Sequence, residues 1–123
     1  LARLYEERLA PLAAVEINDP GPDGSVSAYH LFGILLDFEA LGTTRAAAMQ
    51  GLRERSIGTQ VHYIPVPAQP YYRDLGYDPA PFTGAAEYYR RTLSLPMFPA
   101  MKDEDVGRVC DALEAVLAEL TGR

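Results

Sequence analysis

Near the end of the chain, apolar positions recur with a helical period. Val106, Val109, Cys110, Leu113, Val116, Leu117 and Leu120 fall at i, i+3, i+4, i+7, i+10, i+11 and i+14. That spacing predicts one apolar stripe along a helix of about four turns. Asp103 is the expected N-cap, and Glu104 and Asp105 suit the positive end of the helix dipole. At the other end, Leu1, Leu4, Tyr5, Leu9 and Leu12 also fall near one helical face. Pro11 predicts that this helix ends or kinks near Arg8 to Ala10. Between the two helices the period changes. "YHLFGILL" (29–36) is a short apolar run without helical spacing and reads as a strand. "TQVHY" (59–63) alternates and reads as a second strand, and "TLSLPMF" (92–98) as a third, stopped by Pro96 and Pro99.

Punctuation fills in the rest. "NDPGPDGSVS" (18–27) is a turn-rich loop. Thr43 or Thr44 is expected to cap a helix running to about Ser56, with Gly58 as its stop. Five of the ten prolines lie between Pro65 and Pro81, so regular structure is not expected there. Thr83 opens a helix, "TGAAEYYRR". The order is helix, strand, helix, strand, long loop, helix, strand, helix. It predicts an α/β chain of the α+β two-layer kind, a small three- to four-stranded sheet covered by helices.

Composition narrows what such a domain can do. With 123 residues the chain is long enough for one domain with its own core. A net charge of −6, with ten arginines and Lys102 scattered, lacks the basic face that nucleic acid requires. No run approaches the roughly 18 apolar residues of a membrane span. The opening "LARLYEERLA" is amphipathic and carries Glu6 and Glu7, unlike a signal peptide. The single cysteine, Cys110, fits a reducing, cytoplasmic setting. Cys110 lies on the apolar stripe, where it reads as a small hydrophobe rather than a nucleophile. Two histidines, His30 and His62, are too few for a metal centre. The acidic "KDED" run reads as a helix N-terminus rather than a cation site.

One stretch resists a scaffold reading. "GTQVHYIPVPAQPYYR" (58–73) holds one histidine, three tyrosines, three prolines, two glutamines and an arginine. Alternation in the expected strand places Thr59, Val61 and Tyr63 on one face and Gln60 and His62 on the other. If the first face is core, Gln60 and His62 point toward a surface. Prolines stiffen a loop by limiting its unfolded states, and rings with polar tips suit a polar ligand. Packing of the same rings on their own or a neighbouring domain is an equal reading at this point.

"IGTQVHYIPVPAQPYYRDLGY", then "AEYYRRTLSLPMFPAMKDEDVGRV", with "SAYHLFGILLD" before them, resembles the C-terminal part of the DegT/DnrJ/EryC1/StrS aminotransferases. The resemblance covers about residues 27–120. The wording of the HYIPV and LSLP blocks is closest to the pseudaminic-acid branch, which aminates C4 of a UDP-linked 4-keto-hexosamine. Members join a large domain, carrying pyridoxal phosphate on a lysine, to a small C-terminal domain that closes the active site. The resemblance implies that this chain is the small domain only, with the fold of that part of a fold-type-I aminotransferase. Residues 1–14 would be a connector helix from the large domain, with an apolar face poorly covered here, and 15–123 the small domain.

By position in the motif, His62, Tyr63, Gln69, Tyr71 and Tyr72 are the implied substrate contacts, with His30 of the YHLF block beside them. No catalytic or metal-ligating residue is implied in this chain. Nothing around Lys102 matches the cofactor-lysine segment, so the chain would be inactive alone. The whole enzyme would move an amino group from glutamate, by way of the cofactor, to a nucleotide-linked keto-sugar, and homodimers are usual in the family. Two departures stand out. Pro67 occupies the position of a histidine in the HYxPxH pattern of many relatives. Lys102 stands where relatives often have a threonine cap. A dehydrase branch, with the cofactor lysine replaced, would differ only in the large domain. The reading from a different class is a free-standing binding or interaction module without catalysis.

Overall fold

A computed structural model describes residues 1–18 and 25–122. Most of the expected turn-rich loop therefore lies outside the described residues. Helix α1 spans Ala2–Leu9, followed by strands β1 (Val15–Ile17) and β2 (Phe32–Leu36). Helix α2 (Arg45–Glu54) comes next, then a 3-10 turn (Val66–Ala68) and the short α3 (Pro70–Asp74). Helix α4 (Thr83–Arg91), strand β3 (Thr92–Leu95) and the long α5 (Asp103–Thr121) complete the chain.

The sheet is antiparallel in the order β1-β2-β3, with Ile34 opposite both Ile17 and Leu93. Period-two geometry sends Phe32, Ile34, Leu36, Leu93 and Leu95 to one face, and all five are buried. They share one core with Tyr5 and Leu9 of α1, Ala48 and Leu52 of α2, and the α5 stripe from Val106 to Leu117. On the other face, which holds Gly33 and Ser94, α4 packs at Gly33: a side chain there would meet the Tyr88 hydroxyl at 3.5 Å.

The expected helices form, with local corrections. Thr44 caps α2, its side chain accepting from the Ala47 N–H at 3.1 Å. The stop after α2 is not Gly58. Ser56 takes the left-handed conformation (φ 61°), and the Ile57 N–H reaches back to the Leu52 carbonyl at 2.9 Å. Burial of Ile57 supports that turn, a hydrophobic contact of the kind that often accompanies left-handed helix ends. For α5 the N-cap position is Lys102, not Asp103; the Asp105 carboxylate folds back to accept from the Lys102 N–H at 2.9 Å. Between Pro65 and Pro81 regular structure does form, because Pro65, Pro67 and Pro70 stand at or just inside the starts of two short helical turns, where a missing N–H costs nothing.

Two strand expectations change. Val15–Ile17 pairs with β2, although three residues are too short to show a period. "TQVHY" is not a strand. Only Gln60 pairs with Ser94, through Gln60 N–H to Ser94 O at 3.2 Å and Ser94 N–H to Gln60 O at 2.8 Å. The next ladder pairs would be His62 with Thr92 and Gly58 with Pro96. The Thr92 N–H already caps α4 at the Tyr88 carbonyl, and its carbonyl takes the Arg45 guanidinium at 3.4 Å. Pro96 has no N–H, and its carbonyl accepts from the Tyr5 hydroxyl at 2.8 Å.

That last bond belongs to the firmest correction. The apolar face of α1 is well covered. Tyr5 and Leu9 are fully buried, and the Tyr5 ring stacks on Phe32 with centroids 4.6 Å apart. Burial pushes the Tyr5 hydroxyl well above the ordinary phenol range.

Candidate functional site

Where β3 meets the segment after α2, the chain closes a shallow depression of about 120 Å³. His30, Gln60, His62, Ser94 and Pro96 line it. Each arrives by a different route. Ser94 is fixed by the β3 register opposite Gly33, on the face away from the core. Gln60 is held by its double backbone bond to Ser94. His62, two residues on, comes within 2.9 Å of the Ser94 hydroxyl through Nδ1. His30 stands exposed just before β2, next to Tyr29 in the left-handed region (φ 46°). His30 also borders an adjoining hollow of about 490 Å³ walled by Leu1, Tyr29, Met97, Phe98 and Pro99.

His30 and His62 therefore line one depression, from sequence positions 32 residues apart. Tyr63 follows directly, its ring edge-on to His62 at 4.6 Å. The condition that its strand face is core does not hold: Tyr63 is 65% exposed, because the chain leaves the sheet after Gln60. His62, expected toward the surface, is half-buried against Ser94.

The other three candidates form a second group. Tyr72 is the hub of a ring cluster, edge-on to Tyr71 at 5.3 Å and to Tyr77 at 5.8 Å. Tyr71 itself is 67% exposed. Gln69 turns inward, its amide donating to the Ile64 carbonyl at 3.4 Å, so it braces the segment rather than lining the depression. Around these rings, Ile64, Val66, Leu75 and Phe82 are also exposed. The segment 61–82 thus presents an apolar surface with polar tips. Ser94 and Gln60 were not singled out as candidates from the sequence. The signal was present, since in "TLSLP" the residue between two core leucines must face the opposite way.

A family model, the DegT/DnrJ/EryC1/StrS aminotransferase family, matches residues 1–114. Spore coat polysaccharide biosynthesis protein SpsC of Bacillus subtilis is 42% identical over 97 residues, 77% of this chain and 25% of its own length. Among solved structures, Helicobacter pylori PseC, an aminotransferase involved in pseudaminic acid biosynthesis, superposes with TM-score 0.84 at 23% identity. The match covers 96% of this chain and 31% of PseC. Spr1654 of Streptococcus pneumoniae, in its PLP form, gives TM-score 0.83 at 21% identity, over 96% of this chain and 30% of its own. The chain thus spans a quarter to a third of the length of these relatives.

Proposed function

The chain belongs to the DegT/DnrJ/EryC1/StrS aminotransferase family, and on that premise we propose that it is the small domain of a pyridoxal-phosphate-dependent sugar aminotransferase. In this reading it walls the cleft that receives a nucleotide-linked keto-sugar, a UDP-linked 4-keto-6-deoxy-hexosamine aminated at C4. Glutamate is the amino donor, and the whole enzyme is a cytoplasmic homodimer. Residues 1–14 link the small domain to the larger one. The observation that carries the reading is that His30 and His62 line one depression, with Tyr63 packed on His62, in a chain matched to the family over residues 1–114.

The residues present do not fit the cofactor itself. Pyridoxal phosphate supplies the electron sink for amino transfer and needs a lysine amine in a closed site. The one lysine of this sequence, Lys102, is exposed at the start of α5, beside Asp103, Glu104 and Asp105. No step on the cofactor is assigned to this chain. Its share is substrate shape and water exclusion. His62 and His30 offer ring nitrogens, and Tyr63, Tyr71 and Tyr72 offer apolar faces with hydroxyl tips. Pro67 offers no donor, which leaves that side of the cleft without a histidine contact.

Intact mass of the native gene product, before and after borohydride reduction, tests the reading. Reduction fixes the cofactor to its lysine. A chain several-fold heavier than 13.5 kDa that gains one cofactor mass is expected. A 13.5 kDa product without an adduct would instead mean a free-standing binding module.

A further inference from the structure

We propose that Ser94 is a positioning residue: it holds His62 as the Nε2–H tautomer, so that the nitrogen left for a ligand is a hydrogen-bond donor. The inference rests on His62 being a substrate contact, as read above. Ser94 is 5% exposed, and its hydroxyl lies 2.9 Å from His62 Nδ1, its one side-chain partner among the described residues. Two arrangements satisfy that distance. If Nδ1–H donates to Oγ, the hydroxyl proton is left without an acceptor in a buried place, which is costly. If the hydroxyl donates to Nδ1, both groups are satisfied, and the neutral ring carries its proton on Nε2.

Ser94 cannot easily shift to another arrangement. Its backbone N–H and C=O both pair with Gln60, and the β3 register holds it opposite Gly33. Nε2 has no protein partner among the described residues, and the half-buried ring lines the depression. A donor at that point suits an acceptor atom: a keto or hydroxyl oxygen of a sugar, or a phosphate oxygen of its nucleotide. His30, in the same depression, is exposed and has no such constraint.

The chain contains only two histidines, so ring-nitrogen NMR on the histidine-labelled 123-residue protein reads the tautomer directly. At a pH where both rings are neutral, His62 is expected to show one protonated nitrogen, Nε2, and one bare nitrogen, Nδ1. His30 is expected to give averaged signals. Ser94→Ala should move His62 toward the His30 pattern, and Ser94→Thr, which keeps the hydroxyl, should restore it; melting curves check that both variants fold. A proton on Nδ1, or an unchanged pattern in Ser94→Ala, overturns the proposal.

The full-length enzyme, assayed with a UDP-linked 4-keto-hexosamine and glutamate, separates this proposal from the reading beneath it. Ser94→Ala and His62→Phe, which keeps a flat ring but has no donor, should each raise KM for the sugar by about tenfold, the equivalent of one lost hydrogen bond. The double variant should be no worse than His62→Phe alone. A further loss in the double variant overturns the role of Ser94 only. Unchanged kinetics in His62→Phe overturn the substrate contact and this proposal with it, whatever the tautomer.

Discussion

At the scale of single residues, the segment 61–82 separates rings that build from rings that are offered. Tyr72 sits between Tyr71 and Tyr77 and holds the segment together. Tyr63 and Tyr71, at 65% and 67% exposed, have little packing to lose. Tyr63→Ala and Tyr71→Ala should therefore change stability by no more than about 0.5 kcal/mol. Under the proposed function, in the full-length enzyme they should slow turnover of the keto-sugar substrate while leaving cofactor binding intact. Unchanged kinetics in both would show that the rings only pack. The sequence exposed the chemistry of this stretch more readily than its geometry. Alternation put Tyr63 and His62 on opposite faces, with His62 outside if the face of Tyr63 were core, on the premise of a strand. That premise fails at Thr92 and Pro96, whose backbone groups serve α4, Arg45 and Tyr5. Nothing near residue 60 in the sequence reveals those commitments.

At the scale of elements, helices were legible and strand pairings less so. The α5 stripe is buried as its spacing predicts, from Val106 to Leu117, and α4 runs from Thr83 to Arg91. Helices declare themselves through local periods. A three-residue strand such as β1 exists only because β2 supplies its partner. The packing of α2 on α5 holds a point that propensity alone misjudges. Gly51 lies inside α2, where alanine would ordinarily be about 1 kcal/mol better. A Cβ there would sit 3.0 Å from both methyl carbons of Val116, which is 1% exposed. A β-branched residue in a helix has little rotamer freedom to retreat, and overpacking costs about 1–3 kcal/mol. Gly51→Ala should thus lower stability by about 1 kcal/mol. In a Val116→Ala background the same change should become stabilising. A Gly51→Ala protein more stable than wild type in chemical denaturation would mean that the two helices part at little cost.

At the scale of the whole molecule, ion pairs tie its elements together from outside. Arg8 meets Asp111, Arg55 meets Glu119, and Arg91 reaches Glu16 at 2.6 Å. Arg90 stands between Asp37 and Glu87, at 2.9 Å from each. The hydrogen bond from Arg90 holds the Asp37 carboxyl down at about 2, and the same guanidinium lowers that of Glu87. A depressed carboxylate contributes stability that is complete above its unfolded value, about 4, and is lost as pH falls toward the folded one. Wild type should therefore lose melting temperature more steeply than Asp37→Asn between about pH 4 and pH 2. The difference should shrink in salt, because these groups are exposed. Parallel acid profiles would show that the pair contributes nothing.

The burial of Tyr5 bears on how such a domain could be exchanged between enzymes. A graft cut at residue 15 would leave a vacancy beside Phe32, an orphaned carbonyl on Pro96 and an uncovered flank on α5. Losing a buried tyrosine and a buried leucine costs several kcal/mol, a large part of what holds an ordinary domain together. The smallest transplantable unit therefore carries α1 with it, and a successful swap would place its seam ahead of Ala2.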